Sequence, residues 1–159
     1  MTNQPSKAYE NIDFLNEHVA RPIRVLCELM EPDNRLEQQG IENTIVFFGS
    51  ARPKPLAKAK KALDDLLFAH PNEQNWDEDT KAHIKKARRI LKLSEYYDKA
   101  VELAEKVAEW GKSAKGKKYH VCSGGGPGMM EAANRGADNK KCPSIAYGIS
   151  LPFEQGINQ

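Results

Sequence analysis

The stretch from Tyr119 to Ala137, Tyr-His-Val-Cys-Ser-Gly-Gly-Gly-Pro-Gly-Met-Met-Glu-Ala-Ala-Asn-Arg-Gly-Ala, limits the fold more than any other part of the chain. A short apolar run turns directly into a glycine-rich loop and then into a segment with helical spacing. A strand, a turn and a helix start in that order make the ligand edge of an α/β sheet. Gly124, Gly125, Gly126 and Gly128 carry no Cβ, so their backbone can reach φ > 0 and bring N–H groups close to an anion. The helix that follows adds unpaired N–H groups and the positive end of its dipole.

The flanking sequence repeats the theme. Asn43 to Phe48 reads as the first strand, its Ile45, Val46, Phe47 and Phe48 forming a continuous β-branched and aromatic run that predicts burial on both faces as in a parallel sheet. It leaves through Gly49-Ser50-Ala51-Arg52-Pro53-Lys54-Pro55, where two prolines hold off a helix until Leu56. A helix is expected over Leu56 to Ala69, stopped at His70-Pro71. Helical patterns follow over Lys81 to Lys92 and Ser94 to Trp110, the first holding six basic residues and no acid. Such a run reads as a solvated helix face or as a surface for an anionic partner. The second strand is Lys118 to Ser123, and the next helix, from about Gly128 to Asp138, presents Ala132, Ala133 and Gly136 as a smooth strip for the sheet. Ser144 to Ser150 is the third strand.

Ahead of the first strand, residues 1 to 9 read as a disordered arm. Apolar residues then recur at helical steps from Tyr9 to Leu29, with Pro22 as a break or restart. Glu31-Pro32-Asp33-Asn34 is expected to stop that helix, and Leu36 to Gly40 to be a polar connector. The predicted organisation is an N-terminal helical extension over 1–40 and an α/β domain over 41–159, with a helical insertion at about 71–111. Three parallel strands leave two open edges, fewer strands than a typical sheet holds.

Composition excludes several function classes. The 24 basic and 22 acidic side chains nearly cancel, so no nucleic-acid partner is indicated. Cys27, Cys122 and Cys142 are odd in number and form no C-x-x-C pair, which indicates neither a disulfide framework nor a metal site. Met-Thr-Asn-Gln-Pro-Ser-Lys lacks the apolar core of a signal peptide, and no stretch reaches the ~20 apolar residues of a membrane span. A cytoplasmic protein without membrane partner is expected.

Near misses narrow the phosphate motif. The dinucleotide fingerprint G-x-G-x-x-G fails, because Met129 and Glu131 stand where its last glycine is required. Gly111 to Lys117 fails as a P-loop: Lys118 replaces the Ser or Thr, and the stretch precedes a strand. Ser123 to Ala137, preceded by Val46-Phe-Phe-Gly-Ser-Ala-Arg52 and followed by Ile149-Ser-Leu-Pro-Phe-Glu-Gln155, resembles the LOG family, often labelled lysine decarboxylase-like. The resemblance covers about residues 20 to 159. It implies a Rossmann-like domain, homodimeric or a higher homo-oligomer, that binds AMP-like nucleoside monophosphates. It also implies hydrolysis of the N-glycosidic bond to free base and ribose 5-phosphate, with no cofactor.

The family's second motif, P-G-G-x-G-T-x-x-E, and the arginine-containing helix ahead of it do not occur in this sequence. The chain therefore reads as the N-terminal half of that fold, with no catalytic residue of its own. A non-catalytic nucleotide or cofactor carrier and a pure assembly partner are the rival readings. By the resemblance, Gly49 and Ser50 border the nucleotide and Arg52 stands near phosphate or is a surface charge. Gly124, Gly125, Gly126 and Gly128 line the ligand or serve packing, and Met129 meets the base or the core. Glu131 bonds the ribose, orients Arg135, or simply suits a helix start, and Glu154 faces the ribose.

Overall fold

The computed structural model describes residues 7–113, 115, 118–149, 156 and 158. The chain forms two compact units, 1–42 and 43–159.

The first unit is helical. A 3-10 turn at Ala8–Glu10, overlapping the end of the stretch expected to be disordered, leads to helix α1 (Ile12–Asn16), capped by the Asn11 side chain accepting from the Phe14 amide. A second 3-10 turn, His18–Ala20, runs into α2 (Arg21–Gln38). Pro22 sits in the first turn of α2, where a missing N–H costs nothing, so it starts the helix. The Arg24 guanidinium donates to the carbonyls of Leu15 (2.5 Å) and Glu17 (2.8 Å), tying the end of α1 to α2.

The expected stop at Pro32 does not occur; α2 continues through it to Gln38. Its end is set instead by Gly40, at φ 67°, with the Ile41 amide donating to Leu36 O (2.9 Å) and the Gly40 amide to Glu37 O (2.9 Å). That pair of bonds is the Schellman closure, which needs a left-handed residue after the helix. Leu36 to Gly40 is thus the last turn and cap rather than a connector.

The second unit is a Rossmann-like α/β fold: a three-stranded parallel sheet flanked by helices and carrying a long helical insertion. Its elements are β1 (Asn43–Phe47), α3 (Leu56–Ala69), α4 (Glu78–Lys112), β2 (Tyr119–Ser123), α5 (Met129–Asn139) and β3 (Ser144–Ala146). The strand order is β1-β2-β3, with Ile45 opposite Val121 and Cys122 opposite Ile145. Both crossovers step the same way across the sheet, and right-handed connections then carry their helices to one side. Accordingly α5 packs on all three strands and α4 on β2 and α5.

Burial on both faces of the first strand is not observed. Phe47 packs into the helix-side core, whereas Val46 is 51% exposed. The physical reason is position: β1 is an edge strand, and only its Ile45 and Phe47 face meets the helices.

The insertion is dominated by α4, whose 35 residues span about 50 Å. Asp77 caps it by accepting from the Thr80 amide at 2.7 Å. Ser94, fully buried, satisfies its hydroxyl by donating to Ile90 O at 2.9 Å. The small strip on α5 is used mainly by this helix. A Cβ on Gly136 would stand 2.5 Å from Val101 O and 2.6 Å from Ala104 Cβ, so the backbones of α4 and α5 touch there. Ala132 packs with Tyr97 and Ala100 of α4, while Ala133 and Ala137 join Ala104, Ala108 and Val121. The strip expected to lie on the sheet therefore serves a helix–helix contact, and the sheet takes its edge.

Candidate nucleotide site

The site lies at the carboxyl ends of β1 and β2, where two loops converge on the start of α5. Ser123 closes β2 and is buried; its hydroxyl donates to Asn134 Oδ1 at 2.6 Å and accepts from the Gly125 amide at 3.0 Å. The chain then turns through Gly125 (φ 73°) and Gly128 (φ 76°). At Gly128 no other residue fits, because a Cβ would lie 2.3 Å from Ser50 O and 2.8 Å from Ala51 Cα. This close approach allows the Met129 amide to donate to Ser50 O at 3.1 Å, which joins the loop after β1 to the helix after β2.

Gly49 belongs to the same junction, since a Cβ there would stand 2.5 Å from Met129 Cβ. Met129 itself packs against Tyr97, Ala100 and Ala132. Of the two roles open to it in the sequence, the core is the one its contacts describe. Its neighbour Met130 folds over the loop, its sulfur 3.1 Å from where a Gly124 Cβ would be and its methyl 2.6 Å from that of Gly126. Ser50 accepts from the Arg52 amide at 3.2 Å, and that turn leaves Arg52 exposed.

The amides decide what the junction can hold. Those of Gly125 and Met129 are taken, and Ala132 donates to Gly128 O at 2.9 Å. The amides of Gly126, Gly128, Met130 and Glu131 have no partner among the described residues. They open the eleven-residue helix α5, whose dipole adds positive potential at the same end.

Glu131 stands in that first turn and pairs with Arg135 one turn on, at 3.2 Å. Behind it lies Tyr97 of α4, 1% exposed, with a hydroxyl that has no hydrogen-bond partner among the described residues. Burial first, and then the negative charge of Glu131, push the Tyr97 phenol up to about 12. The neutral phenol stands beside the Glu131 carboxylate, whose charge helps to hold its proton on.

Asn134 holds the floor. Besides accepting from Ser123, its Nδ2 donates to Ser144 Oγ (3.0 Å) and Ile145 O (3.4 Å), fastening α5 to β2 and β3. Asn158 covers the acceptor side of the loop, its amide donating to Gly125 O (2.7 Å) and its side chain to Gly126 O (2.9 Å).

The structure thus brings together Gly49, Ser50, Gly124, Gly125, Gly126, Gly128, Met129 and Glu131. Glu154 lies outside the described residues. Tyr97, Ser123 and Asn134 were not singled out from the sequence. Asn134 carries a readable signal, a polar residue on the strip that otherwise holds Ala133 and Ala137; Tyr97 carries none, since it meets the site only through packing. Burial raises the Cys122 thiol above its ordinary range, which makes it a poor nucleophile. Among the described residues no group of His, Cys, Asp or Glu is placed to hold a metal ion, and no helix is long and apolar enough to cross a membrane. No protein-family model matches the chain, and no curated protein matches it.

Proposed function

We propose that the chain binds a nucleoside 5′-monophosphate of the AMP type, with the phosphate on the amides of Gly126, Gly128, Met130 and Glu131. The observation that carries this reading is those four N–H groups, without a partner among the described residues, at one helix start, in a loop held open by Gly128 and anchored by Ser123. A phosphate offers three acceptor oxygens and negative charge, and a cradle of amides at a helix dipole satisfies both. Glu131, 24% exposed on its side chain, accepts a ribose hydroxyl, and Arg52 on the facing loop supplies an exposed positive charge.

The LOG resemblance extends this to chemistry. Hydrolysis of an N-glycosidic bond passes through an oxocarbenium-like state and needs a carboxylate and a placed water beside the ribose. On this reading Glu131 is a ribose ligand and the reaction is that of the completed site, whose P-G-G-x-G-T-x-x-E wall the sequence does not contain. The alternative, a nucleotide carrier without catalysis, uses the same amides.

Calorimetric titration with AMP, adenosine and ribose 5-phosphate, together with an assay for free adenine, separates these readings. Binding of AMP and ribose 5-phosphate with weak binding of adenosine supports the phosphate cradle. Release of adenine adds the hydrolase; binding without release leaves the carrier. Folded protein that binds neither phosphorylated compound contradicts both.

A further inference from the structure

Among the described residues, Tyr97 alone carries a buried side-chain polar atom that makes no hydrogen bond. Its ring packs between α4 and α5 in a cluster with Ala100 and Ala132, with Val101 and Met129 against it. Phenylalanine has the same ring and would avoid the cost of a buried hydroxyl without a partner. The packing therefore accounts for the ring of Tyr97 and not for its oxygen.

Three charged groups act on the phenol: Glu131, Arg135 and Asp98. A guanidinium only donates, so Arg135 offers the hydroxyl no acceptor. Asp98 is the next residue of the same helix, and adjacent helix residues do not face each other. Glu131 is the acceptor that remains. Its Oε1 accepts from Arg135 at 3.2 Å, and its Oε2 has no hydrogen bond among the described residues. A buried donor and a carboxylate oxygen, each without a bond, thus lie side by side at the first turn of α5. The tyrosine ring is fixed by its surroundings, whereas the Glu131 side chain is 24% exposed and turns about several bonds.

We infer that Tyr97 positions Glu131 for the ribose: in the nucleotide-bound state its hydroxyl donates to one carboxylate oxygen and leaves the other to a sugar hydroxyl. This rests on the nucleotide reading of the site and adds to it a residue that never touches the ligand. Fixing the carboxylate from behind lowers the ordering cost of the contact in front.

Amide NMR titrations of the full chain with ribose 5-phosphate and with inorganic phosphate test this, because only the first carries a sugar. Tyr97→Phe is expected to weaken ribose 5-phosphate roughly tenfold, the effect of one hydrogen bond to a charged group, and to leave inorganic phosphate unchanged. In a Glu131→Ala background the same substitution should change neither affinity. Urea unfolding at pH 7 checks that each variant is folded. Wild-type affinity of Tyr97→Phe for ribose 5-phosphate would overturn the positioning role and leave the nucleotide site standing. Equal losses for both ligands, or a loss that persists without Glu131, would also overturn it, since the phenol would then act through the fold. A wild type that binds neither ligand would overturn the nucleotide reading and this inference together.

Discussion

Gly128 rests against Ser50 so closely that a Cβ on the glycine would lie 2.3 Å from the serine carbonyl oxygen. This contact joins the loop after β1 to the start of α5, and both depend on a φ of 76° that side chains avoid. Gly128→Ala must therefore push the loops apart as well as strain the backbone. A loss of about 3 kcal/mol in urea unfolding is expected, combining a strained dihedral with overpacking. A loss under 1 kcal/mol would mean the two loops are not locked together.

Asn134 links β2, β3 and α5 through Ser123, Ser144 and Ile145. Asn134→Ala leaves the buried Ser123 hydroxyl without its acceptor, at an expected cost of about 2 kcal/mol in urea unfolding. Faster amide hydrogen exchange at Gly125, whose amide bonds to that hydroxyl, should accompany it.

Tyr97 has a phenol held neutral up to about 12, above its ordinary value of 10.0. The unfolded chain releases this proton first. Stability present below pH 10 is therefore lost as pH rises toward 12, by about 2 kcal/mol. Tyr97→Phe should flatten this slope relative to wild type and, because the hydroxyl has no hydrogen-bond partner among the described residues, leave stability at pH 7 unchanged or raised. An identical alkaline slope in the two proteins would show that the phenol titrates freely.

Lys141 closes α5 in the left-handed region, at φ 54°, with the Cys142 amide donating to Ala137 O at 3.0 Å. Gly40 occupies the equivalent place after α2. Lysine pays a steric cost there that glycine does not, so Lys141→Gly should stabilise the protein by about 0.5–1 kcal/mol in thermal unfolding. Destabilisation would contradict the cap.

The elements that sequence conveys best are those with local causes. Pro53 and Pro55 delay α3 to Leu56 and His70-Pro71 ends it, so its bounds could be read without any tertiary information. The sheet's parallel run and the glycine turn were equally legible, because their residue types permit little else. Pro32 misled, since a proline inside a helix removes one ladder hydrogen bond without having to end it, and the stop is instead the closure at Gly40 and Ile41. The exposure of Val46 could not be read either, because edge position is a property of strand order and not of the strand. Within the site, the glycines announced themselves by composition. Tyr97 reaches Glu131 from α4, 34 residues earlier in the chain, and only the packing of α4 on α5 puts them together.

The claim that matters most is that the amides of Gly126, Gly128, Met130 and Glu131 receive a phosphate. Two-dimensional amide NMR of the chain titrated with AMP tests it residue by residue. The account predicts saturable shifts centred on Gly126, Gly128, Met130 and Glu131, reproduced by ribose 5-phosphate and much weaker with adenosine. Saturable shifts confined to other residues, or a folded spectrum that AMP leaves unmoved, would contradict it.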